Sequence, residues 1–178
     1  MTKPLCFVLM PFGRKPDADG RLIDFDAVYE EFIKPAIEAA ELESIRADEE
    51  VVGGIIHKPM FERLLLCEFA VADLTTANAN VFYELGVRHA VLPATTVLLF
   101  GGATHLPFDV ALLRALPYQI DGSGKPLDPV SSAKALIGRC RIWFRNKQNA
   151  PITYSRSGSL SRPSSLAKSC CERISVPQ

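Results

Sequence analysis

Three short apolar runs in this chain, each followed by a segment of helical periodicity, restrict the fold more than any other feature. Leu5-Cys6-Phe7-Val8-Leu9-Met10 is apolar throughout and is closed by Pro11 and Gly13. Phe69-Ala70-Val71-Ala72-Asp73-Leu74 and Thr95 to Phe100 repeat the pattern. A run of this length without polar alternation reads as a strand covered on both faces. Leu42 to Ala47 and Pro117-Tyr118-Gln119-Ile120 supply two shorter strands.

Helical segments fall between them. Asp24 or Asp26 can cap a helix to about Ala40, with Val28, Phe32, Ile33, Ala36 and Ile37 as its apolar stripe. Pro35 lies inside that stripe, which predicts a kink or break. A second helix is expected from Ile55 to Glu68, opened by Gly53-Gly54, and a third from Val81 to Val91, capped by Asn80. A short turn is read around Phe108 to Leu113, and Ser131 or Ser132 caps a last helix through Phe144. Strands alternating with helices over short loops imply right-handed crossovers and a parallel sheet with helices on both faces. The expected fold is therefore α/β, a flavodoxin-like three-layer sandwich on a five-stranded, mostly parallel sheet.

Composition bounds the rest. Of 178 residues, 48% are hydrophobic, enough for one core, and 20 Lys or Arg balance 20 Asp or Glu. A zero balance argues against a dedicated nucleic-acid binder. The apolar runs are far shorter than the roughly 20 residues needed to cross a bilayer, and no signal peptide is read at Met1 to Leu5, so a cytoplasmic protein is expected. Cys6, Cys67 and Cys140 read as small buried hydrophobes, while His57, His89 and His105 share no metal-ligand spacing. Neither a metal nor another cofactor is expected. After Arg145 the chain turns basic and serine-rich, with eight serines and five Lys or Arg against one acid in residues 146–178. We divide the chain into a folded domain over 1–145 and a disordered tail.

In a sheet of this kind ligands bind beyond the carboxyl ends of the strands. The loops expected there are Pro11 to Asp24, Asp48 to Gly54, Asp73 to Asn80 and Gly101 to Asp109. Two carboxylates stand out, Asp73 at a strand end and Glu84 one turn inside the following helix, where the helix dipole favours the ionised form. Each has a purely structural alternative: Glu84 can pair with Arg88 four residues on, and Asp73 can bond the amides of Thr75 or Thr76. Gly86, inside that helix, suggests a close approach of backbone or ligand. Arg46 beside Asp48 and Glu49 is either a ligand-facing cluster or a solvated loop.

Ala72-Asp73-Leu74-Thr75, then Asn78-Ala79-Asn80-Val81-Phe82-Tyr83-Glu84-Leu85-Gly86 and His89-Ala90, resemble the signature of nucleoside 2-deoxyribosyltransferase-like and TIR-like domains. With Phe7 to Gly13 and Arg46-Ala47-Asp48-Glu49, the resemblance is closest to bacterial proteins carrying the TRAF-binding domain of stress-activated kinase kinase kinases. It covers roughly residues 4 to 121. It implies binding of a nucleoside, nucleotide or NAD-like molecule and cleavage or transfer at its N-glycosidic bond. Glu84 would attack or stabilise the anomeric carbon, with Asp73 as the second catalytic carboxylate. Pro11, Phe12, Gly13, Arg46, Asp48, Asn78 and Asn80 would hold the substrate. A site completed across a homo-oligomer is compatible with the resemblance. The alternative is a non-catalytic nucleotide sensor or adaptor using the same cleft.

Overall fold

The computed structural model describes residues 3–47, 57–102 and 115–149. Side chains of 57–59 and 143–149 are not included in the description. Asp48, the Gly53-Gly54 turn, the turn around Phe108 to Leu113 and the tail beyond Asn149 lie outside the described residues.

Five strands form one sheet: β1 (Leu5–Leu9), β4 (Glu43–Arg46), β5 (Phe69–Asp73), β6 (Thr96–Gly101) and β7 (Leu116–Tyr118). The order is β4-β1-β5-β6-β7 and every pairing is parallel. Counted within the sheet this is 2-1-3-4-5, the flavodoxin-like order expected from the sequence. Successive residues of β1 enter opposite halves of the core, as the two-residue period of a strand requires. Cys6 and Val8 pack with Val71, Val97 and Leu99 under the first helical run and the last helix. Phe7 and Leu9 pack with Ala70, Ala72 and Leu98 under Leu64, Val81 and Leu85 of the other two helices.

The first helical run joins α1 (Phe25–Val28), a π-helical turn (Tyr29–Ile33) and α2 (Lys34–Ala39). The break expected at Pro35 takes this form. Proline has no N–H and its ring crowds the carbonyl four residues back, and a wider turn just before it relieves both. Asp24 is the cap of this run, its Oδ1 accepting from the Ala27 amide. The remaining helices are α3 (His57–Leu66), α4 (Ala79–Val91) and α5 (Pro129–Asn149). Helix α5 starts before the expected serine cap, because Asp128 Oδ1 accepts from the Ser131 amide at 3.0 Å. It also runs four residues past the boundary read at Arg145.

The loop expected from Pro11 to Asp24 contains an antiparallel hairpin, β2 (Arg14–Pro16) with β3 (Leu22–Asp24). Its β2 strand is wholly exposed and carries no apolar alternation, so periodicity gave no sign of it. Among the described residues no helix is long and apolar enough to cross a membrane.

Candidate functional site

The carboxyl ends of the strands gather two polar clusters. The first centres on Asp73, the last residue of β5 and 1% exposed. Its Oδ1 accepts from the Thr75 amide at 2.9 Å and from Thr75 Oγ1. Its Oδ2 accepts from the Tyr118 hydroxyl at 2.7 Å. Thr75 Oγ1 in turn accepts from the Gly101 amide at 2.8 Å and lies 2.9 Å from the Tyr118 hydroxyl. The network ties together the ends of β5, β6 and β7. Burial pushes the Asp73 carboxyl above its ordinary value, while the bonds from Thr75 and Tyr118 pull it back. Burial and the neighbouring Asp73 push the Tyr118 hydroxyl well up, so it remains a donor.

Both Asp73 oxygens are thus engaged within the protein, including the Thr75 amide bond that the sequence offered as its structural alternative. With the residue 1% exposed, a sugar could reach Asp73 only if this network opened. Tyr118→Phe should cost about 2 kcal/mol, because it removes a buried hydrogen bond to a carboxylate. Urea unfolding checks this, and an unchanged midpoint would mean the network does not hold the strand ends.

The second cluster is built on Arg46, the last residue of β4. Its Nη1 donates to Asp26 Oδ1 at 2.9 Å, and Asp26 Oδ1 also accepts from the Gly13 amide at 3.3 Å. The guanidinium lies over two rings, 4.6 Å from the centroid of Tyr29 and 5.4 Å from that of Phe12. Gly13 turns the chain here at φ +63°, a conformation that favours glycine. Pro11 is buried, whereas Phe12 is 39% exposed. The structure therefore brings together Phe12, Gly13 and Arg46 as expected, and adds Asp26 and Tyr29. Sequence reading weighed Asp26 only as a possible cap. Because Asp24 takes that role, Asp26 is released for Arg46.

Glu84 lies on α4, which follows Asp73. Asn78, not Asn80, caps this helix: its Oδ1 accepts from the amides of Asn80 and Val81 at 2.9 and 3.3 Å. The helix begins at Ala79, so Glu84 falls in the second turn, beyond the reach of the dipole at its N-terminus. Burial prevails instead and raises the Glu84 carboxyl above its ordinary value. The alternative offered for it, a pair with Arg88, does not form. Arg88 is fully buried and all its hydrogen bonds go to Leu64, Cys67, Glu68, Thr95 and Thr96. Among the described residues Glu84 makes neither a side-chain hydrogen bond nor an ion pair. Gly86 is exposed, and nothing lies within 4 Å of where a Cβ would stand, so close approach does not account for it. Asn80 is exposed beside the cap.

Thr75 and Tyr118 are the residues that sequence reading missed. Nothing local marks Tyr118, which reaches Asp73 across 45 positions. Thr75 was legible only as a possible turn amide. Among the described residues no three His, Cys, Asp or Glu side chains are grouped to hold a metal ion. In comparisons with known proteins, no family model matches the chain and no curated protein matches it.

Proposed function

We propose that the chain binds a nucleoside or nucleotide at the carboxyl edge of the sheet and cleaves or transfers at its N-glycosidic bond through Glu84. The observation that carries this reading is the state of Glu84: a half-buried carboxyl, raised by burial, with neither a hydrogen bond nor an ion pair among the described residues. A carboxylate that merely decorates a surface helix is solvated or paired. One that is desolvated and unpaired at a ligand-binding edge fits a group kept for chemistry.

In the proposed reaction the bond from the anomeric carbon to the base breaks, and its electron pair leaves on the base. Ionised Glu84 attacks that carbon or offsets the positive charge of its oxocarbenium-like transition state. Water completes hydrolysis, and a second base completes transfer. Asp73 acts as a positioning residue, holding the β5–α4 loop through Thr75 and Tyr118. The exposed Phe12 ring, backed by Arg46, offers a planar base a stacking surface. Asn80 orients the sugar from the start of α4, whereas Asn78 contributes by fixing that start.

Since Glu84 must be ionised to act, the rate should rise with pH through a limb set above that of a solvated glutamate. Burial raises the Glu84 carboxyl, so its active form is lost earlier on acidification than that of a solvated glutamate. The pH profile of base release checks this, and a rate that is flat from neutral pH down through the carboxylate range would contradict it. The reading itself is tested by comparing release of free base or nicotinamide by the parent and Glu84→Gln. Binding without release by the parent would favour the sensor or adaptor.

A further inference from the structure

Beside the strand ends that carry Gly101 and Tyr118, the β2–β3 hairpin and the turn after β7 enclose a cleft of about 410 Å³. That volume is in the range of small-molecule sites. None of the site residues expected from the sequence lines it. Its floor nevertheless adjoins the Asp73 network, because the Gly101 amide donates to Thr75 Oγ1 at 2.8 Å.

The two walls are fastened to each other. The Asp24 amide donates to the Gly124 carbonyl at 2.9 Å. Gly124 stands at φ +87°, and a Cβ there would overlap the Leu22 carbonyl oxygen, so only glycine lets the turn lie this close to the hairpin. The cleft is thus formed by the fold itself, with a fixed separation between its walls.

Four charged side chains line it: Arg14, Asp17, Arg21 and Asp121. Asp17 Oδ1 closes its own turn by accepting from the amides of Asp19 and Arg21 at 2.9 and 2.8 Å. Asp121 Oδ1 does the same with the amides of Ser123 and Lys125 at 2.8 and 3.0 Å, and takes the Ser123 hydroxyl as well. Those bonds hold the Asp121 carboxyl below its ordinary value. They use one oxygen of each aspartate, and Oδ2 stays outside them. On the cationic side, Arg14 gives Nε to Asp24 Oδ2 at 3.1 Å, a bond that leaves its terminal nitrogens outside. Arg21 makes no ion pair among the described residues.

Guanidinium groups match phosphate oxygens, and carboxylate oxygens accept from sugar hydroxyls. We infer that this cleft is a second site, which binds a sugar phosphate, with Arg14 and Arg21 on the phosphate and Asp17 and Asp121 on hydroxyls. Ile23, Tyr118 and Ile120 on this side pack under the first helical run and the last helix, whereas Val81 and Leu85 of the Glu84 helix pack into the other half of the core, so the cleft is separate from the site proposed for Glu84.

Calorimetric titration of the full chain with ribose 5-phosphate, ribose and inorganic phosphate tests it. Ribose 5-phosphate should bind at least about tenfold more tightly than either of the others. An Arg14→Gln, Arg21→Gln double variant should lose that advantage, and Glu84→Gln should keep it. Arg14 and Arg21 are both exposed, so neither change threatens the core. Equal binding of ribose and ribose 5-phosphate, or an unaffected double variant, would overturn the inference. Inorganic phosphate binding as tightly as the sugar phosphate would also overturn it. Arginine-dependent binding without base release from any substrate would support the cleft while refuting the Glu84 reading.

Discussion

Replacing Arg88 by methionine should destabilise the fold by about 4 kcal/mol, a large share of the roughly 5–15 kcal/mol that holds an ordinary domain. Arg88 is fully buried, with no carboxylate among its hydrogen-bond partners. Five bonds answer the five N–H donors of a guanidinium. Nη1 donates to the carbonyls of Leu64 and Cys67 at 2.9 and 2.6 Å. Nη2 donates to the Glu68 carbonyl and Thr95 Oγ1 at 3.0 and 3.1 Å, and Nε to Thr96 Oγ1 at 3.2 Å. Those carbonyls stand at and just beyond the end of α3, where a helix leaves acceptors without internal partners and carries partial negative charge. Burial lowers Arg88 to about 10, still protonated at neutral pH.

Methionine fills similar space but supplies no donor, so several buried acceptors lose their partner together. Relief of the guanidinium's own desolvation offsets part of that loss, which is why the expected figure lies below the sum of the separate bonds. Arg88→Lys should be intermediate, since it keeps the charge with three donors instead of five. Urea unfolding of the three proteins measures this. A loss under about 1 kcal/mol for methionine would show that desolvation cancels the bonds and that α3 is held by packing alone.

Arg88 also shows what periodicity could and could not reveal. Val81, Leu85 and Arg88 recur at helical spacing and are all buried, so the stripe itself placed Arg88 inside. The charge and the nearby Glu84 suggested a solvated pair instead, because its three carbonyl acceptors lie 20 to 24 positions away at the end of another helix. The sheet was far more legible. Its central strands β1, β5 and β6 are apolar on both faces, and burial on both faces is what the interior of a parallel sheet requires. The hairpin was not, since Arg14-Lys15-Pro16 has no apolar face and the β3 strand is held by the Asp24 amide donating to the Gly124 carbonyl, far along the chain.

The candidate site was legible in the same uneven way. Phe12, Gly13 and Arg46 share one sheet edge, and strand order alone was enough to gather them. How Asp73 is used depends on Tyr118, which only the packed sheet brings near. Glu84 was correctly placed on a helix, but its electrostatics followed burial rather than the dipole, because the cap lies two residues earlier than expected.

The central claim is that Glu84 does the chemistry, and base release by the parent and Glu84→Gln tests it most directly. The amide is isosteric and replaces a group with neither a hydrogen bond nor an ion pair among the described residues, so the fold should persist. It can neither attack an anomeric carbon nor offset its positive charge, so release should fall by about a hundredfold or more. Ligand affinity should change much less, because ground-state binding rests on other groups. The measurement is release of free base or nicotinamide from nucleosides, nucleotides and NAD, with binding of the same compounds followed by calorimetry. Release by the parent that is lost in a folded, ligand-binding Glu84→Gln is the predicted result. Equal release by both proteins would contradict it, and so would the absence of release from every compound by a parent that binds them.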